Sequence, residues 1–221
     1  MLVVDFMHEF ELGVWKALFS HLIRMLYSLP NGVALVQELD KRYRGIPTFG
    51  KDTIRRFANN ASEMKKLGAR DFEDLLQCSI PVFEGLFPYE DNKRLMKLLF
   101  RLCEWHGFAK LRMQTEPTSN HLKSLTTELG VLMRDFQHRA ANYETYELDR
   151  EKAARQRQET RDAIHTGGST IRGQSAKRRK TLNLNTYKWH ALGDYPSMIP
   201  RVGPSDIYST QLVSTSPAII M

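Results

Sequence analysis

The chain has 221 residues, 42% of them apolar and 26% charged, with 11 Phe, 8 Tyr and 3 Trp. This is the composition of one folded domain with an appendage, and it excludes a disordered, collagen-like or porin-like chain. Two Cys, in no C-x-x-C pair, exclude a disulfide scaffold and a zinc ribbon. The net charge of +7 lies in residues 150–180, where ten Lys/Arg face three Asp/Glu; the rest of the chain is neutral. Such a segment suits nucleic acid or nuclear import, or simply a solvated linker.

Leu2-Val3-Val4-Asp5-Phe6 has the short, β-branched apolar character of a buried strand ending in an acid. From about Glu9 the period changes. Leu12, Trp15, Phe19, Leu22 and Leu26 recur at 3-4-3-4 spacing, and Val14, Leu18 and Ile23 widen the face into that of a helix covered on most sides. Glu11, Lys16, His21 and Arg24 interrupt it too often for a membrane span, at about 2.5–3.5 kcal/mol per central charge. No basic leader or small-residue cleavage site marks a signal peptide, so a soluble intracellular protein is expected. Leu29-Pro30-Asn31-Gly32 supplies a turn.

Residues 33–44 form a second helical stretch, and the basic, polar residues 49–67 predict one or two short helices. Residues 71–87 read as an apolar helix that Pro81 kinks or breaks. Residues 89–113 are amphipathic, with Leu95, Leu98, Leu99, Leu102 and Trp105 on one face. Residues 118–139 give the clearest helix: Leu122, Leu125, Leu129, Leu132 and Phe136 repeat regularly, and Thr118 or Ser119 stands ready to cap it after Pro117. Residues 148–164 are charged almost throughout and predict a solvated arm. The Gly/Ser/Thr-rich residues 166–176 predict mobility, residues 182–195 a last short helix, and the Pro-bearing tail an irregular end. The predicted class is mainly α.

Asp5 stands where a strand gives way to a helix. A carboxylate there is well placed to hold a divalent ion, or equally to cap the helix that follows. One acid is not a metal site, since two-metal phosphoryl transfer needs two or three acids converging on both ions. Glu9 and Glu11, two residues apart, point to different faces. Cys103-Glu104-Trp105-His106 has zinc-compatible spacing but no second Cys/His pair beside it. Gly50-Lys51-Asp52-Thr53 lacks the first glycine and the hydroxyl residue of a phosphate-binding loop. Arg55, Arg56, Lys65 and Lys66 are candidates for a DNA-facing surface, with Asp52, Glu63 and Asp71 close enough in sequence to make a neutral solvated face instead. Lys177-Arg178-Arg179-Lys180 is a basic cluster of the kind import receptors read, or a solvated charge run.

Asp5-Phe6-Met7-His8, continued by Glu9-Phe10-Glu11-Leu12-Gly13-Val14-Trp15-Lys16, resembles the second-acid signature of DDE transposases of the CACTA-like group, above all the fungal Plavaka-type branch. The resemblance continues through Arg55-Arg56-Phe57, Asn60-Ala61-Ser62-Glu63-Met64-Lys65-Lys66-Leu67 and Arg70-Asp71-Phe72-Glu73-Asp74-Leu75-Leu76-Gln77-Cys78. It includes Glu104-Trp105-His106, Ala109-Lys110-Leu111-Arg112-Met113, and Tyr187-Lys188 with His190-Ala191-Leu192-Gly193-Asp194-Tyr195. The Asp-x-x-His core is moderately specific; the collinear run from Leu2 to about Gln211 is far more so.

The resemblance implies an RNase H-like core in which three acids hold two Mg²⁺ or Mn²⁺ ions for DNA cleavage and strand transfer, with a large helical insertion between the second and third acids. Asp5 would be the second acid and a metal ligand, and His8 its companion. On that footing residues 1–8 are a remnant of a core strand and 9–147 the helical insertion. Residues 148–181 are then a basic mobile arm and 182–221 a short helix with an irregular tail. The first acid is expected upstream of Met1, and no Glu/His run follows residues 205–211. The expectation is therefore a nuclear, transposon-derived interior fragment that is catalytically inactive, binds no ion itself, and retains some DNA binding. The alternative is a non-catalytic helical DNA- or protein-interaction module using residues 150–180.

Overall fold

The computed structural model describes residues 5–51, 53–165 and 176–205. Expectations for residues 2–4, 166–175 and 206–221 lie outside them. The described chain is mainly helical, as the periodicity requires. It contains no β-strand, only two isolated antiparallel bridges, Phe49 with Ile54 and Tyr146 with Arg179.

The end of the expected strand is corrected: Phe6 is helical. It is buried and its ring stacks against Phe10 and Trp105. With apolar rings to cover it on the inner face of a helix, burial is gained without a sheet, and the local β preference is overridden. A π-helical segment, Met7–Trp15, follows and runs directly into α1, Lys16–Ser28. Lys16 N–H reaches the Glu11 carbonyl, five residues back. Gly13 lets this segment approach its neighbour: a Cβ there would stand 2.8 Å from the His8 carbonyl oxygen and 2.6 Å from Lys188 Cδ.

The remaining elements are α2 (Gly32–Gly45), a 3₁₀ turn (Ala61–Glu63), α3 (Ala69–Gln77), α4 (Ser79–Phe83), α5 (Tyr89–Ala109), α6 (Glu116–Ala140), α7 (Asp149–His165), α8 (Tyr187–Ala191) and α9 (Tyr195–Val202). The break expected from Pro81 falls at Cys78, so that Pro81 lies in the first turn of α4, where a missing N–H costs nothing. Helix α6 starts earlier than expected. Thr115, not Thr118 or Ser119, is its N-cap: the Thr115 hydroxyl accepts from Thr118 N–H, while Thr118 Oγ1 accepts from Thr115 N–H at 2.8 Å. Proline is tolerated in a first turn, so Pro117 lies inside the helix rather than before it. Its buried stripe runs Leu122, Leu125, Leu129, Met133, Phe136 and Ala140, leaving Leu132 half-buried. A straight helix of 3.6 residues per turn drifts off a strict seven-residue repeat, which moves the seam by one position.

Helices α5 and α6 pack along each other, α1 packs on α2, and α3 and α8 both pack on the π-helical segment. One continuous core results, in which Trp15, Trp105, Tyr43, Tyr195, Phe10, Phe19, Phe72 and Phe83 are fully buried. Each buried large apolar side chain contributes about 1.5–3 kcal/mol. Helix α7 is exposed over residues 157–162, as a solvated arm would be, but it is anchored at its start. Its first turns dock on α1 through Arg24, whose guanidinium donates to both carboxylate oxygens of Glu151. No helix among the described residues is long and apolar enough to cross a membrane.

Candidate functional site

Asp5 sits at the N-terminal end of the π-helical segment. Its Oδ1 accepts from Met7 N–H at 3.2 Å and its Oδ2 lies 2.6 Å from His8 Nδ1. Its main-chain carbonyl accepts from Glu9 N–H at 2.9 Å. The residue thus terminates the helix as a cap does, with His8 on the following turn. The Asp5 and His8 side chains are 24% and 56% exposed, so the pair faces solvent while remaining hydrogen-bonded.

Glu9 and Glu11 do point to different sides. Glu9 is buried and accepts from the Tyr195 hydroxyl at 3.2 Å. Burial raises its pKa above the usual carboxylate range and the charge on Asp5 adds to the rise, while hydrogen bonds from Tyr195, the Asp5 backbone and Tyr187 oppose it. Glu11 enters the interior beside α3 and α5. There it meets His106 Nε2 at 3.5 Å and Lys110 Nζ at 3.5 Å, and the same ammonium lies 2.7 Å from Glu73 Oε1. Glu73 also accepts from Arg70 Nη1 at 2.7 Å and from Gln77 Nε2 at 3.3 Å. Burial works against the Glu73 carboxylate, but Lys110, His106 and Arg70 together hold its pKa below the usual range. Phe6 and Phe10 pack on the His106 ring, with ring centroids 5.2 Å away in both cases.

Sequence reasoning missed this second group. Residues 11, 73 and 106 share no linear spacing; the one clue, the C-x-x-H step, led to the wrong partner. Cys103 donates to the Leu76 carbonyl instead, and burial pushes its thiol up to about 11, away from the thiolate a metal needs.

The four basic residues at 55–66 do not share one role. Arg55 donates to Asp71 and Asp74 on α3, at 2.8 and 2.9 Å. Arg56 is exposed, Lys65 pairs with Glu63 at 2.8 Å, and Lys66 is exposed in the left-handed region at φ 53°. The Lys177–Lys180 stretch lies extended beside residues 145–147, with Glu147 N–H donating to the Arg178 carbonyl and Lys180 N–H to that of Thr145, both at 2.9 Å. All four of its side chains are exposed. Lys177 reaches Asp149 at 2.8 Å and Arg178 reaches Glu159 at 2.9 Å.

No family model, no curated protein and no solved structure matches this chain.

Proposed function

We propose that this chain is the helical region of a Plavaka-like DDE transposase, a nuclear, DNA-handling protein in which Asp5 supplies one carboxylate toward Mg²⁺ or Mn²⁺ and His8 orients it. The observation that carries the reading is convergence. The blocks at 70–78, 104–113 and 187–195 that carry the resemblance meet around one short segment. Residues 5–16 form that segment, and α3, from the 70–78 block, packs on it. Trp105 stacks on Phe10 at 5.0 Å, Lys110 joins Glu11 to Glu73, and Tyr195 bonds Glu9. Blocks scattered over nearly 200 positions meet in one body when they were shaped as one unit.

By itself the chain does no strand cleavage. Two divalent ions bring about four positive charges that several carboxylates must neutralise at short range. Asp5 supplies one, and its oxygens already accept bonds from Met7 and His8. Plasmid nicking with Mg²⁺ or Mn²⁺ should be absent in the wild type and in Asp5→Ala alike. Nicking that vanishes in the variant would show that further acids complete the site.

DNA affinity is assigned to the 150–180 region, with about five cations meeting phosphates and a log K against log salt slope near −4.5. Arg157, Arg161, Arg179 and Lys180 are exposed. Changing these four to Gln should flatten the slope to about −1. An unchanged slope would move the DNA surface to Arg55, Arg56, Lys65 and Lys66. Replacing Lys177, Arg178, Arg179 and Lys180 by Ala should shift the protein from nucleus to cytosol if an import receptor reads them. A second reading, a non-catalytic helical interaction module, is favoured by the capping geometry of Asp5, which a helix start alone requires. Flanking genomic sequence with no acid-containing frame upstream and no Glu/His run downstream would select it.

A further inference from the structure

We propose that Glu11, Glu73 and His106 form a binding site for one zinc-class divalent ion, which the Lys110 ammonium closes when no ion is bound. The site is separate from Asp5 and His8 and does not rest on the transposase reading.

One ligand atom from each of the three residues lies within 4.8 Å of the others. A tetrahedral zinc site with bonds of about 2.0–2.1 Å has ligand-to-ligand edges of about 3.3–3.4 Å. His106 Nε2 and Glu11 Oε1 are already 3.5 Å apart. The remaining separations reach up to 4.8 Å, so the site needs a carboxylate to turn toward the ion as it binds.

The second observation is an unmet need. The Glu11 side chain is 1% exposed and neither of its oxygens has a hydrogen-bond partner; His106 Nε2 is likewise buried and unbonded. A buried carboxylate normally accepts several bonds; this one has only the Lys110 ammonium at 3.5 Å and His106 Nε2 beside it, which leaves room for a closer cationic partner. At 3.5 Å Glu11 Oε1 and His106 Nε2 are neighbours without being hydrogen-bonded to each other.

Glu73 is held ready from behind. Arg70 takes its Oε2, which leaves Oε1, now facing Lys110 and Gln77, to turn to the ion. Lys110 is the movable part. Its side chain is 28% exposed against 1% and 5% for the two acids it touches, so its four-carbon stem can carry the ammonium to solvent. The donor set selects the ion. One imidazole and two carboxylates suit zinc, whereas Mg²⁺ keeps its waters and needs a roomier octahedral cavity.

The test is calorimetric titration of the chelator-stripped full chain with Zn²⁺. One equivalent should bind, and Mg²⁺ should bind at least about tenfold more weakly. Glu11→Gln and His106→Gln should each weaken Zn²⁺ by at least about tenfold, the cost of losing even an outer partner of a metal. His121→Gln, at an exposed histidine that also faces a carboxylate, should change nothing. No stoichiometric Zn²⁺, or binding lost in His121→Gln and kept in His106→Gln, would overturn the proposal. Should Glu11→Gln fail to fold, Lys110→Met decides. With the competing ammonium gone, Zn²⁺ should bind more tightly than to the wild type and restore the lost Tm. A Lys110→Met protein that melts lower and gains nothing from Zn²⁺ identifies the group as a plain ion-pair cluster and sinks the idea.

Discussion

Helices α5 and α7, of 21 and 17 residues, join the molecule in opposite ways. Helix α5 buries Leu95, Leu98, Leu99, Leu102, Trp105 and Ala109. Along α7 no residue from 149 to 163 is buried. Charge fixes it instead: Glu151 takes Arg24, Arg155 grips Glu147 through both Nε and Nη2 at 3.0 Å, and Arg178 reaches Glu159. The first kind of attachment is non-directional and rests on no charge that salt could screen. The second is directional, screened by salt and titratable. A helix with no apolar stripe can therefore be ordered, but only within a window of conditions.

The largest effect should come from the apolar side. Trp105 stacks on Phe6 and Phe10, meets Tyr195 edge-on, and donates from Nε1 to Thr126 at 2.8 Å. Trp105→Ala should cost about 3–5 kcal/mol, read as a loss of the whole cooperative transition in urea. A loss confined to α6 would mean that the body is less unified than the aromatic cluster implies.

Acid should separate the two regions. His21 is buried in the body with both ring nitrogens lacking a hydrogen-bond partner. Burial, aided by the charge of Arg24, pushes it down to about 4 from the ordinary 6.5. The unfolded chain takes up this proton and the folded chain does not. The His21 contribution, about 3 kcal/mol, is thus complete above pH 6.5 and is lost as pH falls through about 4. Around α7 the sign is the same and the window lower. The bond from Arg155 holds Glu147 down at about 2, and Arg24 keeps the Glu151 carboxyl below its ordinary value despite burial. That docking should persist to about pH 4.5 and fail toward pH 2. Hydrogen exchange across a pH series should show the body weakening first, and His21→Leu should remove the upper step alone. A single transition shared by body and α7 in that variant would erase the distinction.

A smaller and local effect is expected from Arg24→Ala, about 1–2 kcal/mol. Amides of residues 150–160 should exchange faster while those of α5 are unaffected, and 1 M salt should mimic the change in the wild type. The smallest is Thr115→Ala. It removes the α6 cap for about 1 kcal/mol, raising exchange in the first turn of α6 only.

The positions of most helices are legible along the chain, because period and turn residues are local. The 3-4-3-4 leucines of α6, the turn at Asn31-Gly32 and the break near Pro81 all act within a few residues of themselves. The divergence of Glu9 and Glu11 is legible too, since it follows from helical geometry alone. The rest depends on packing between distant parts of the chain. Phe6 reads as strand until Phe10 and Trp105 are there to cover it. Residues 148–164 read as solvated until Arg24 and Glu147 are seen beside them. The Glu11, Glu73 and His106 group belongs wholly to the tertiary level: it is assembled from three elements, by packing rather than by spacing. A periodicity repeats along one element, whereas a buried charge is explained only by what the rest of the chain brings to meet it.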